Sequence, residues 1–309
     1  MQHPSTTTAT TTTTTATATT AASPSHRKER LGSMSAWTPV AAFYAGALLL
    51  SWLAWLPLAL AAMGVWGGDP PQELHLLGSL GPMLSAFIVT AAWHGRPGVT
   101  ALARRMVAWR GNLRWIALAV LVPLGLYALG VLVTRAVQGV WLDVGTLGQS
   151  PEYPWMPAVV AVLANLVFYG YGEEVGWRGF LLPRLQARSS ALKSAVLVTL
   201  FWACWHIPLF AFADGFRKMG AIGIPGWLFS LLLGSVILTW LFNSSGGSIL
   251  VVALFHAMLD VAINSPSDGV LMQNVVGGTL TVLGFVLVNR VGREHLARRP
   301  RVQETDAAA

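Results

Sequence analysis

Glu173 and Glu174 stand side by side in Gly172-Glu-Glu-Val-Gly-Trp-Arg-Gly-Phe-Leu-Leu-Pro-Arg-Leu185, with Arg178 four residues after the second acid and apolar chain on both sides. An ionised side chain in or beside a membrane span costs about 2.5–3.5 kcal/mol on insertion scales, so by default it marks a functional site. On a helix the two acids point about 100° apart and cannot face one cavity equally. Separate roles follow: Glu174 is in register for an ion pair with Arg178, and Glu173 is left to face the bundle interior. The bland alternative is an interfacial Glu/Arg cluster where the span meets water.

Two further segments carry titratable groups in apolar surroundings. His206 lies in Phe201-Trp-Ala-Cys-Trp-His-Ile-Pro208, where Pro208 loosens the local backbone bonding; a packed, hydrogen-bonded histidine is the competing reading. His256 and Asp260 sit four apart in Phe255-His-Ala-Met-Leu-Asp260 and share a helical face. A carboxylate one turn from an imidazole can fix its tautomer and raise its basicity, and a polar clamp between helices is the alternative. Asn165 is the weaker polar residue of the set, and His75 and the other four histidines fall in tails, loops or span ends.

Two histidines and a glutamate on separate helices, with no reactive serine or cysteine in an evident motif, suggest hydrolysis by activated water. Glu173 would be the general base. His206 would share that water or protonate the leaving amine, and His256 with residue 260 would face the tetrahedral oxyanion. Glu173, His206 and His256 could instead hold zinc, since two histidines and a carboxylate make an open catalytic site. The sequence lacks H-E-x-x-H, so spacing does not argue for the metal. A proton-coupled transporter using the same groups as a relay is the main rival, although no inverted repeat is evident, and a catalytically silent scaffold is a third class.

The elements that must position these residues are membrane helices. The 309-residue chain is 54% hydrophobic and 11% charged, well below the roughly 25% charged that is usual for soluble domains. The expected fold is an all-α, polytopic helical bundle in the cell membrane. Apolar runs long enough to cross about 30 Å of hydrocarbon recur at 40–65, 76–93, 115–134, 155–172, 191–212, 222–242, 247–264 and 270–289. About eight transmembrane helices put both termini on one side. With that side cytoplasmic, only Arg135, Arg217 and Lys218 of the 20 basic residues fall outside, as the positive-inside rule requires. The same distribution explains the net charge of +7 through the lipid bilayer and calls for no nucleic acid. Trp37, Trp66, Trp93, Trp115, Trp141 and Trp155 fall near span ends, where an aromatic belt belongs.

Residues 1–35 are expected to be a disordered Thr/Ala-rich and basic tail, residues 36–290 the membrane domain with a motif-bearing core at 155–265, and residues 291–309 a basic-to-polar cytoplasmic tail. Cys204, the single cysteine, is expected to pack as a small apolar residue away from the site. Counting about 1.5 Å per residue leaves Glu173 near the cytoplasmic end of its span and His206 near the outer end of the next.

The ordered trio of Glu-Glu-x-x-x-Arg at Glu173, Glu174 and Arg178, Trp-His-Ile-Pro at His206 and His-x-x-x-Asp at His256 and Asp260 resembles the CAAX-protease and bacteriocin-processing (CPBP, Abi) family of intramembrane endopeptidases. The resemblance covers roughly residues 155–265. It implies an eight-helix core and a membrane protein or peptide substrate. In residue terms it implies Glu173 as base, Arg178 holding the glutamate region, His206 activating water, and His256 with residue 260 at the oxyanion. Family members have been viewed both as metalloproteases and as metal-independent glutamate proteases, so the resemblance fixes no cofactor. The chain departs from the family pattern at Trp202, where Phe is usual, and at Asp260, where Asn is usual. An ionised Asp accepts hydrogen bonds but cannot donate one to an oxyanion.

Overall fold

A computed structural model describes Met1, residues 37–265 and residues 269–304. The chain divides into Met1–Ala36 and Trp37–Ala309, and every described helix belongs to the second unit. The expected N-terminal tail, with Arg27, Lys28 and Arg30, lies outside the described residues apart from Met1.

Each of the eight expected apolar runs is a helix, and among the described residues there is no strand. Six helices are long and apolar enough to cross a membrane: α1 (Thr38–Ala62), α2 (Leu74–Met106), α3 (Leu113–Gln138), α4 (Ala158–Gln186), α6 (Gly220–Ser244) and α8 (Val270–Val291). The other two, α5 (Ala191–Trp205) and α7 (Ile249–Ile263), have 15 residues each, about 22 Å of rise. Both short helices start on serine caps. Ser190 Oγ accepts from Lys193 N at 3.3 Å and Ser248 Oγ from Val251 N at 3.4 Å, each satisfying one of the amides that a helix start leaves unpaired. The protein is a multi-pass membrane helical bundle.

Its outer surface is what lipid demands. Leu49, Leu53, Ile88, Leu121 and Val282 are exposed along the helix flanks, a distribution that would be an anomalous apolar surface in water. Trp37, Trp66, Trp141 and Trp155 are exposed near helix ends, as the aromatic belt requires. Cys204 is exposed as well. It faces outward from α5 and does not pack in the core, because Trp202 and Trp205 take the buried face of that helix.

The helices approach α4 closely because it carries glycine where neighbours cross. A Cβ at Gly170 would meet Ala253 O of α7 at 2.6 Å, and one at Gly176 would meet Pro82 of α2 at 2.5 Å. Small residues at such crossings let backbones pack in the absence of a hydrophobic drive between helices. Around Gly172–Glu174, α4 widens into two π segments, Asn165–Tyr171 and Val175–Leu181. Such bulges re-aim side chains and are frequent at functional sites.

Residues 292–304, expected as tail, fold back over the ends of α4 and α6. Gln186 and Asn243 pair amide to amide at 2.8 and 3.0 Å, and between them they bond His295 O, Val302 O and Val302 N. This buried polar clamp closes the Arg-rich end of the bundle.

Candidate active site

The depth mismatch expected from the sequence does not arise, because α4 runs on past residue 172 to Gln186. Glu173 is therefore mid-helix. From Gln186 back to Glu173 the rise is about 20 Å, and from Ala191 forward to His206 about 22 Å. The short turn between α4 and α5 thus brings the two residues to one level. α5 also ends earlier than expected, with His206 as its C-cap. Helix α7 joins at the same height, since Ile249 packs against Gly179 and Ala253 against Gly170.

Trp202 is the hub of the cluster. Its Nε1–H donates to Glu173 Oε2 at 2.6 Å, its ring centroid lies 5.5 Å from that of His256 and 5.7 Å from that of His206, and the Arg178 guanidinium sits 4.5 Å over its face. In the sequence, Trp202 reads as a departure in packing only. Its indole N–H is a polar handle that a phenylalanine lacks.

Glu174 serves two partners. Its Oε1 accepts from Arg178 Nη1 at 2.7 Å and from His256 Nδ1 at 2.8 Å, and both Glu174 and Arg178 are fully buried. The ion pair with Arg178 is the one the spacing indicated. The bond to His256 is not legible from spacing, and it displaces the expected role of Asp260: His256 Nε2 to Asp260 Oδ2 is 3.7 Å, beyond hydrogen-bond range. Glu174 thus fixes the His256 tautomer, with the proton on Nδ1 and Nε2 on the side of Asp260.

His206 is oriented the same way by backbone. Its Nδ1–H donates to Trp202 O at 2.7 Å, which makes Nε2 the acceptor nitrogen of the neutral ring. Aromatic rings wall it on several sides, with Trp205 at 4.9 Å, Phe216 at 5.6 Å and Trp227 at 5.6 Å between centroids. Trp205 is itself pinned to α1, donating through Nε1 to Ser51 Oγ at 2.7 Å while its carbonyl accepts from Trp52 Nε1 at 3.0 Å. The structure therefore brings Glu173, Glu174, Arg178, His206 and His256 around one ring, with Asp260 at the edge of the group. Asn165 donates to its own helix, at Ala161 O.

Among the described residues no three His, Cys, Asp or Glu side chains converge as metal ligands; Glu173 Oε2 accepts from Trp202, and the Nδ1 bond of His256 to Glu174 leaves its Nε2 as the nitrogen that a metal would use.

His75, set aside from its position near a span end, is buried. Its Nδ1 lies 2.5 Å from Glu152 Oε1, and the same carboxylate accepts from Gln72 Nε2 at 2.6 Å and Tyr153 OH at 3.2 Å. Burial pushes Glu152 up, but the bonds from His75, Gln72 and Tyr153 outweigh it and hold the carboxyl below its usual range. This contact staples the 139–157 connection to the start of α2.

Residues 154–262 match the family described as Type II CAAX prenyl endopeptidase Rce1-like. Over 107 residues the chain is 30% identical to the CAAX prenyl protease 2 of Methanococcus maripaludis, a stretch covering 33% of this chain and 39% of that protein. Every residue of the Trp202 cluster falls within the matched segment. Glu173, Glu174, Arg178, His206, His256 and Asp260 all lie inside residues 154–262, the third of the chain that is similar to the CAAX prenyl endopeptidase family.

Proposed function

We propose that the protein is an intramembrane endopeptidase that hydrolyses a membrane-held peptide with water activated by Glu173. The observation that carries this reading is the pairing of a buried glutamate with two histidines whose Nδ1 atoms are both tied back to the protein. Such tethering makes Nε2 the ring nitrogen that each histidine would offer to water or substrate. In the reaction, Glu173 takes a proton from water as the oxygen attacks the scissile carbonyl. The new C–O bond makes a tetrahedral oxyanion, which His256 Nε2–H stabilises when the imidazole carries both protons. His206 holds the water and relays the proton to the departing amine, and the C–N bond breaks. These steps use protein groups alone. Arg178 is a positioning residue, which pairs with Glu174 and stacks on Trp202.

The substrate class we infer is a prenylated peptide C-terminus, supported by the name of the archaeal relative. The test is hydrolysis of a farnesylated CAAX peptide and its unprenylated counterpart by the purified full chain in vesicles, read by mass spectrometry. Release of the terminal tripeptide from the farnesylated form is expected. Cleavage of neither peptide, with the same preparation folded by circular dichroism, would overturn the substrate assignment.

A further inference from the structure

The corner where α2 bends lies apart from the Trp202 cluster, at the Arg-rich end of the bundle. Gly95 takes φ 62°, a left-handed conformation that glycine adopts freely, and Pro97 follows it. The bend leaves a cavity of about 30 Å³ between α2, α4 and the C-terminal segment, lined by Thr90, His94, Arg105, Phe180, Arg184 and Glu304 among others.

Two guanidinium groups are fixed in its wall by backbone carbonyls. Arg105 donates through Nε to Gly247 O at 3.0 Å and through Nη1 to Gly179 O at 3.1 Å. Arg184 donates through Nη1 to Phe180 O at 2.8 Å and lies 3.6 Å over the Phe180 ring. After those bonds, Arg105 Nη2 and Arg184 Nε have no hydrogen-bond partner among the described residues, and the Arg184 side chain is only 8% exposed. Among the described residues one carboxylate lies in the corner: Glu304 Oε1 is 3.0 Å from Arg184 Nη2 and 3.6 Å from His94 Nε2. His94 Nε2 also approaches Arg184 Nη2 at 3.3 Å. Among the described residues two arginines against one acid leave positive charge in excess, and orphaned guanidinium N–H groups in a nearly buried site are costly.

We propose that this corner is a phosphate-binding site in which the Glu304 carboxylate is the resident intramolecular occupant. Rigid guanidinium forks match phosphate oxygens in geometry as well as charge. A basic pocket between helices at the expected cytoplasmic face takes phosphate either from a lipid headgroup or from solution. The site stands whether or not Glu173 hydrolyses peptides, since no residue of the Trp202 cluster lines it.

The test uses the purified full chain in neutral detergent, titrated with inorganic phosphate and read by melting temperature, and separately in phosphatidylcholine vesicles with and without phosphatidylglycerol. Glu304→Gln removes the competing carboxylate and is expected to lower the half-saturating phosphate concentration on the order of tenfold. Arg184→Gln is expected to abolish the shift, and Arg184→Lys, which keeps the charge and loses the fork, to weaken it. Stabilisation by phosphatidylglycerol that depends on Arg184 assigns the phosphate to a lipid; an Arg184-dependent response to free phosphate alone assigns it to a soluble anion. No saturable shift in either arm, or one equal in wild type, Arg184→Lys and Arg184→Gln, overturns the proposal.

Discussion

At the residue scale the centre of the site is an indole. Trp202 donates to Glu173, supports Arg178 on its face and borders both histidines. Hydrogen bonds to charged groups contribute about 1.5–3 kcal/mol, so Trp202→Phe, which keeps the ring and removes the N–H, is expected to lower kcat by roughly 10- to 100-fold. The fold should be unaffected, as near-ultraviolet circular dichroism would register. Asp260 gives the opposite expectation. Because Glu174 and not Asp260 holds His256 Nδ1, Asp260→Asn should leave the His256 tautomer in place and keep peptide cleavage within a few-fold. A loss as large as that of a His256→Ala protein would show that residue 260 does more than border His256. Glu174→Ala strands Arg178 and His256 in a sealed environment, and breaking a buried pair in this way costs about 3–5 kcal/mol; thermal unfolding in detergent measures it. The acids, Arg178 and the two histidines were all legible from residue type and spacing, because charge in an apolar run is rare enough to read directly. The Glu174–His256 bond and the Trp202 donor were not, since spacing along one helix says nothing about which partner a neighbouring helix presents.

At the scale of elements, α4 decides where the site forms. Its two π segments and its glycines set Glu173 and Glu174 mid-helix between α2, α5 and α7. Gly176→Ala would place a methyl 2.5 Å from Pro82 Cβ and 2.8 Å from Pro82 O. Overpacking against backbone costs about 1–3 kcal/mol, so a lowered melting temperature is expected, with cleavage falling more than stability if the acids move with the helix. The eight helices were readable in order from hydropathy alone. The length of α4 was not: its second half contains Glu173, Glu174, Arg178 and Arg184, which depress hydropathy although the backbone continues unbroken to Gln186. Polar residues that find buried partners look like a loop to a composition window. The same effect hid the packing of residues 292–304, whose arginines suggested a tail while Leu296 and Val302 are buried.

For the whole molecule, polar staples at both ends hold a bundle whose middle carries the candidate site. At the Arg-rich end the Gln186–Asn243 clamp ties in the C-terminal segment. At the other, Glu152 bonds His75, Gln72 and Tyr153. Because the folded chain holds the Glu152 carboxyl below its ordinary value of 4.5, its contribution is fully present above that value. It is lost as pH falls through the lower folded value. The melting-temperature gap between wild type and Glu152→Gln should therefore be largest near neutral pH and close under acid conditions. A gap that widened on acidification would contradict the staple.

The proposed catalysis rests on Glu173 as the base that activates water. The most direct measurement is the single-turnover rate of cleavage of a membrane-held peptide by wild type and by Glu173→Gln, which preserves size and a hydrogen-bond acceptor for the Trp202 N–H. General-base catalysis contributes about 10²–10⁴-fold, so a loss of at least 100-fold with unchanged substrate binding and unchanged melting temperature is predicted. Cleavage by Glu173→Gln at the wild-type rate would contradict that role.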